Sequence, residues 1–174
     1  MTAHFTTPQA VAALLATTPT VVTNLCAGLD DALLSWRPAP NEWCIKEVIG
    51  HLLAMDTLAF GDRIRLILSE DTPAMPGVDE KQIAIERRDN ERPISELLAD
   101  FARERETAVS YLQQLPTDQL HRTGTFPVDR HFRASDFLYE WPYHDYDHIK
   151  QISDIIQDAA WPHLSETMQK ALRR

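Results

Sequence analysis

The chain has 174 residues, with 17 basic against 26 acidic side chains and a formal net charge of −9. One domain fits that length, and 44% hydrophobic with 25% charged residues argues against disorder. The acidic balance argues against a nucleic-acid binder, and no apolar run approaches the ~20 residues that a membrane-spanning helix needs.

Residues Met1 to Phe5 lack the basic and apolar regions of a signal peptide. Thr7-Pro8 and Thr18-Pro19 each read as an N-cap followed by proline at the first helical position. A first helical element is therefore expected from Pro8 to Ala27, broken or kinked near Pro19. Val11, Leu14, Leu15, Val22 and Leu25 form its apolar face, and Gly28 suits the residue past its end. The loop Trp36 to Asn41 leads to a second helix from Cys44 to Ser69. Along it, Ile45, Val48, Ile49, Leu52, Leu53, Phe60, Ile64, Ile67 and Leu68 keep helical spacing. Cys44 and Glu47 stand at the offset of a capping box, with a thiol where a hydroxyl is usual.

A loop from Glu70 to Val78 and a short charged helix up to Asn90 precede a third long helix after Pro93. Leu97, Leu98, Phe101, Ala108, Val109, Leu112 and Leu115 face inward along it, and Pro116 ends it. The basic groups Arg87-Arg88, Arg103 with Arg105, and Arg173-Arg174 read as solvated faces. Thr117 to Arg133 reads as irregular, and no segment reads as a strand. Ser135 offers a cap for a fourth long helix reaching Asp158, which Pro142 should kink just before His144. A short terminal helix spans roughly His163 to Leu172. The expected fold is all-α: one domain over 1–174, a four-helix bundle with short extra helices.

Chemistry concentrates in His144-Asp145-Tyr146-Asp147-His148. Side chains four apart lie one above the other on a helix, so both imidazoles can meet one ion. Alone this spacing is a weak signal, and without the Glu of H-E-x-x-H it does not support a metalloprotease. His51 adds to it, because Val48, Ile49, Leu52 and Leu53 around it are apolar. Two convergent helices bearing one and two histidines would build a three-ligand site with an open position.

Trp36-Arg37-Pro38, followed by Trp43-Cys44-Ile45-Lys46-Glu47-Val48-Ile49-Gly50-His51-Leu52, resembles the signature W-x-P…W-S-x-x-E-x-x-x-H-L. Tyr143-His144-Asp145-Tyr146-Asp147-His148-Ile149-Lys150-Gln151 resembles its companion, H-x-x-x-H followed closely by Gln. These are the marks of the DinB-like (DinB/YfiT) superfamily, and order and spacing match over nearly the whole chain. The resemblance implies a four-helix bundle with one divalent metal on His51, His144 and His148. Cys44 departs from the usual Ser, and Asp147 stands where many relatives have Glu.

Glu140 and Glu47 each lie one turn before a ligand and are candidates for orienting it or for acid–base work, against the plainer reading of solvated or capping carboxylates. Asp56 and Asp145 are weaker candidates. Trp36, Trp43 and Trp141 are pocket-lining or core aromatics. His4, His121, His131 and His163 receive no role. Cys26 and Cys44 read as reduced thiols of a cytoplasmic protein, Cys44 having no histidine partner for nucleophilic work.

The resemblance implies a broad range of activities, from thiol S-transferases and thiol-dependent isomerases to metal-dependent hydrolases, because an open cationic site lowers the pKa of bound thiol or water. The first expectation is an enzyme that joins a low-molecular-weight thiol to a small electrophile. A metal-dependent hydrolase and a stress-related binder without turnover are the alternatives. Zn suits imidazole ligation, as do Ni, Fe and Cu. Chains of this kind and size often form homodimers.

Overall fold

The computed structural model describes residues 7–126 and 130–172. His4 and the Arg173-Arg174 pair lie outside them. Helix α1 (Pro8–Leu15) starts as the sequence predicts, with Thr7 Oγ1 accepting from the Ala10 N–H at 3.2 Å. The first element does break, and α2 (Thr18–Cys26) follows after two residues. Gly28 then takes φ +82°, the left-handed region where a side chain would be strained. A single turn, α3 (Asp31–Leu34), is capped by Asp30 Oδ1 on the Leu33 N–H at 2.9 Å.

The second long element comes in three pieces. Helix α4 (Ile45–Met55) passes into a π-helical turn over Asp56–Gly61 and continues as α5 (Asp62–Ser69). Hydrophobic spacing carries across the join, so the sequence read it as one helix. The wider turn buries Asp56, Ala59, Phe60 and Gly61 together. Helix α6 (Glu80–Arg87) has no buried residue, whereas α7 (Ile94–Gln113) and α8 (Ala134–Ala160) are the long core rods. Helix α8 runs unbroken across Pro142, and α9 (Glu166–Leu172) follows it.

The four arms of the bundle are α1 with α2, α4 with α5, α7, and α8. Helix α7 packs on α1, α2 and α4, while α8 packs on α1, α2, α4 and α5. Among the described residues the apolar interior falls into two clusters. Val11, Leu15, Phe60, Ile64, Leu112 and Trp141 belong to one, and Val22, Ile45, Ile49, Leu97, Phe101 and Ile152 to the other.

Four expectations need correction. The stretch expected to be irregular holds a two-stranded antiparallel ribbon, β1 (Thr123–Phe126) against β2 (Arg130–Arg133). Its strands of four residues are too short to show a period, and Phe126 and Phe132 pack on Phe137 at the start of α8. The chain then enters α8 directly from β2, so Asp136, not Ser135, closes the cap by accepting from the Arg133 N–H at 2.8 Å. Thr18 is no cap either, since its hydroxyl is buried and donates to Asp145 Oδ2 at 2.7 Å. Lastly, Pro8–Cys26 is long and apolar enough to span a membrane by length and composition alone. Yet its helix breaks after Leu15, and Val11, Ala12, Leu15 and Val22 are buried in the bundle.

Candidate metal centre

His51 comes from the middle of α4, and His144 and His148 from consecutive turns of α8, the helices packing side by side. One nitrogen from each imidazole lies within 4.8 Å of the others. His51 Nε2 and His144 Nε2 face each other at 3.0 Å. Among the described residues this is the only histidine-containing group so arranged, while His121, His131 and His163 are exposed.

Local packing aims each ring. Trp43 lies over His51 at 4.7 Å between ring centroids and reaches His148 at 6.2 Å. Phe60, in the π turn, meets the His144 ring edge-on at 5.1 Å. Gln151, one turn beyond His148, has its Oε1 at 2.7 Å from His148 Nδ1. With the proton on Nδ1 for that bond, the Nε2 lone pair of His148 is free to ligate.

Burial holds His51 down to about 3, with the charge of His148 adding to the shift. Burial likewise holds His144 to about 3, helped by His148, His51 and Arg105. These two rings are therefore neutral at physiological pH, the form that ligates metal.

The donors fit a divalent cation. Two imidazole nitrogens at 3.0 Å sit near the ~3.4 Å edge of a tetrahedron with bonds of about 2.0–2.1 Å. Among the described residues His144 Nδ1 is buried without a hydrogen-bond partner, so none of them fixes this ring through its other nitrogen. Zinc and the other imidazole-binding metals suit the donor set, which supplies no neutralising charge.

The carboxylates sort differently. Glu47 accepts from the Cys44 N–H at 2.9 Å through one oxygen and pairs with Arg37 through the other. It nonetheless lines the small cleft against His51, together with Gly50, Glu80 and Arg87. Glu140 is exposed on α8, within electrostatic reach of Arg63, and makes no hydrogen bond to His144 Nδ1. Gly50 is required beside His51, because a Cβ there would overlap the Asp89 carboxylate. Asp89 in turn holds Arg87, the last residue of α6, through Nε at 2.6 Å, so α6 is tied down over this cleft.

Next to the centre lies a groove of about 1120 Å³, lined by Arg37, Trp43, Glu47, Ile85, Gln151 and Asp154 among others. Trp36 is 37% exposed, while Trp141 is fully buried and belongs to the core. Burial also pushes the Cys44 thiol up to about 11, which disfavours its thiolate.

The sequence reading missed Arg105. Its place beside Arg103 suggests a solvated face, but Arg103 is 71% exposed and Arg105 only 1%. Its guanidinium binds Asp56 through Nε and Nη2, both at 2.8 Å, and Asp145 through Nη1 and through Nη2 at 2.9 Å. Nη1 also donates to the Leu15 carbonyl at 3.3 Å. A signal was available: Arg105 is four residues after Phe101 and three before Ala108, on the inward stripe of α7. Asp145 likewise follows Trp141 by four on α8.

An all-α bundle with three imidazoles converging from two of its helices defines a class of histidine-site helical proteins. The chain belongs to the DinB superfamily, whose family model matches residues 14–152. Among solved structures it is similar to YfiT from Bacillus subtilis, described as a probable metal-dependent hydrolase with an unusual four-helix bundle topology. The two are 21% identical, the match covers 88% of each chain, and the TM-score is 0.79, which shows the common fold. No curated protein matches the chain.

Proposed function

We propose that this chain is a metal-dependent transferase, joining a low-molecular-weight thiol to small electrophiles at His51, His144 and His148. The observation that carries the reading is the convergence of three imidazoles with no carboxylate among them, beside a groove large enough for two small molecules. His51, His144 and His148 would hold a divalent ion, which would keep its full charge beside neutral ligands and would lower the pKa of a thiol bound to it.

The chain's own residues do the rest. Gln151 sets the tautomer of His148, and Trp43 and Phe60 wall the rings against water and fix their tilt. Glu47 is the better placed of the two candidate carboxylates to take the thiol proton, because it lines both the cleft and the groove. Glu140, on the exposed face, is the weaker candidate.

A second reading, a hydrolase using water in place of the thiol, is favoured by the description of YfiT. The two separate in one experiment. Tag-free protein of known metal content is given a model electrophile with and without a panel of small thiols, and an ester and an amide without thiol. Conjugation that needs both metal and thiol, and collapses in His51→Ala, is the expected result. Thiol-independent cleavage would select the hydrolase, and background rates throughout would remove both.

A further inference from the structure

We propose that Arg105 is the positioning residue of the histidine centre, locking the two ligand-bearing helices in register from a third helix that supplies no ligand. The inference rests on the reading of His51, His144 and His148 as ligands.

The three imidazoles come from α4 and α8, and apolar packing, though it aims each ring, resists a small roll of one rod against the other less sharply than a directional bond does. Dispersion contacts are numerous but undirected. A nitrogen about 6 Å from a helix axis moves about 1 Å for every 10° of roll, enough to spoil a coordination sphere. A directional link is needed, and Arg105 supplies one to each helix. Asp56 follows His51 by five residues on the same rod, and Asp145 directly follows His144. The guanidinium grips both carboxylates with two N–H groups each. Because Asp145 points about 100° away from His144 around α8, anchoring it sets the roll of the helix that presents both imidazoles.

The remaining bonds brace this link from other sides. Thr18 Oγ1 donates to Asp145 Oδ2 at 2.7 Å, and the Leu15 carbonyl, freed by the break between α1 and α2, takes the fifth guanidinium proton at 3.3 Å. Trp141 Nε1 donates to Asp56 Oδ1 at 2.9 Å. Its ring stacks on Phe60 at 5.1 Å, and Phe60 meets His144. Residues from all four arms thus meet at one guanidinium beside the ligand cluster.

The test uses full-length, chelator-treated protein and Co²⁺ alone as the probe, reading its dissociation constant and its visible ligand-field spectrum. Asp145→Asn should weaken Co²⁺ binding by about tenfold to a hundredfold, the usual loss when a residue orienting a ligand is changed. Its spectrum should shift as well. Thr18→Val, which keeps the shape and removes one hydroxyl, should move both readouts in the same direction by less. It decides the matter if Asp145→Asn fails to fold. Leu112→Ala opens the core two turns along α7 and should lose stability while keeping the wild-type constant and spectrum.

Wild-type binding and spectra in both network variants, or an equal loss in Leu112→Ala, would overturn the positioning role. His51→Ala separates the premise. If it binds like the wild type, the ligand reading falls and the proposal with it. If it loses the metal while the network variants keep theirs, only the positioning role is overturned.

Discussion

Two of the polar clusters inside this bundle, those of Arg105 and of the histidines, are completed to different degrees. In the Arg105 cluster all five guanidinium N–H groups have acceptors, and Trp141 and Thr18 add donors to the two carboxylates. In the histidine cluster two ring nitrogens confront each other at 3.0 Å, and His144 Nδ1 has no hydrogen-bond partner among the described residues. Buried polar groups are normally paired, so a saturated network serves the fold while an unsaturated one holds capacity for a ligand. Burial acts on both, but it makes His51 and His144 neutral and leaves the guanidinium charged because carboxylates surround it.

The contrast breaks first at Arg105. Arg105→Met strands two buried carboxylates and should cost the metal-free protein about 3–5 kcal/mol, measured by urea denaturation. A loss under about 1 kcal/mol would mean the carboxylates are solvated elsewhere. His144→Ala should do the reverse. The metal-free protein should keep its far-UV helical signal, because the core clusters do not include that ring. Metal content should fall from about one ion per chain to none, and with it the ligand-linked stability, about 2.7 kcal/mol at a hundredfold excess over Kd. His163→Ala should keep the ion. Full metal in both variants would reject the ligand set.

Acid should sharpen the comparison by a smaller amount. Folded His51 and His144 resist protonation to about pH 3, whereas unfolded they titrate near 6.5. The unfolded chain therefore binds more protons between those values, so metal-free stability is full above pH 6.5 and declines as pH falls. The slope is up to about 1.4 kcal/mol per pH unit for each ring. Asp56 acts oppositely: burial, against the pull of Arg105, pushes it from 3.8 up to about 6, which stabilises the fold toward acid and offsets about half of that slope. Denaturation at pH 5 and pH 7 in wild type and His51→Ala measures this, and an equal pH dependence in both would contradict it. The smallest effect is expected at Gln151. Gln151→Ala should weaken metal binding about tenfold, near 1.4 kcal/mol, by releasing the His148 tautomer without touching the fold.

The histidines could be found early because they sit on well-formed helices whose apolar neighbours mark the inward face. His144 and His148 share one stripe of α8, and His51 lies between Ile49 and Leu52 on α4. Glu47 was placed correctly as a capping-box residue, since that bond spans only three positions. The ribbon before α8 was not visible, because Thr123–Phe126 and Arg130–Arg133 become strands only by pairing with each other and resting on Phe137.

By itself the sequence determined the helices and their buried faces, because a period of 3.6 residues is written locally in side-chain polarity. It also determined which imidazoles share a face, since i and i+4 neighbours need no other segment to meet. Only the tertiary structure decided what meets Arg105 on the inward stripe of α7, while Arg103, two residues away, stays exposed. A guanidinium belongs inside only where carboxylates meet it, and Asp56 and Asp145 lie 49 and 40 residues away along the chain. Their convergence depends on three helices packing at once, which no local pattern contains.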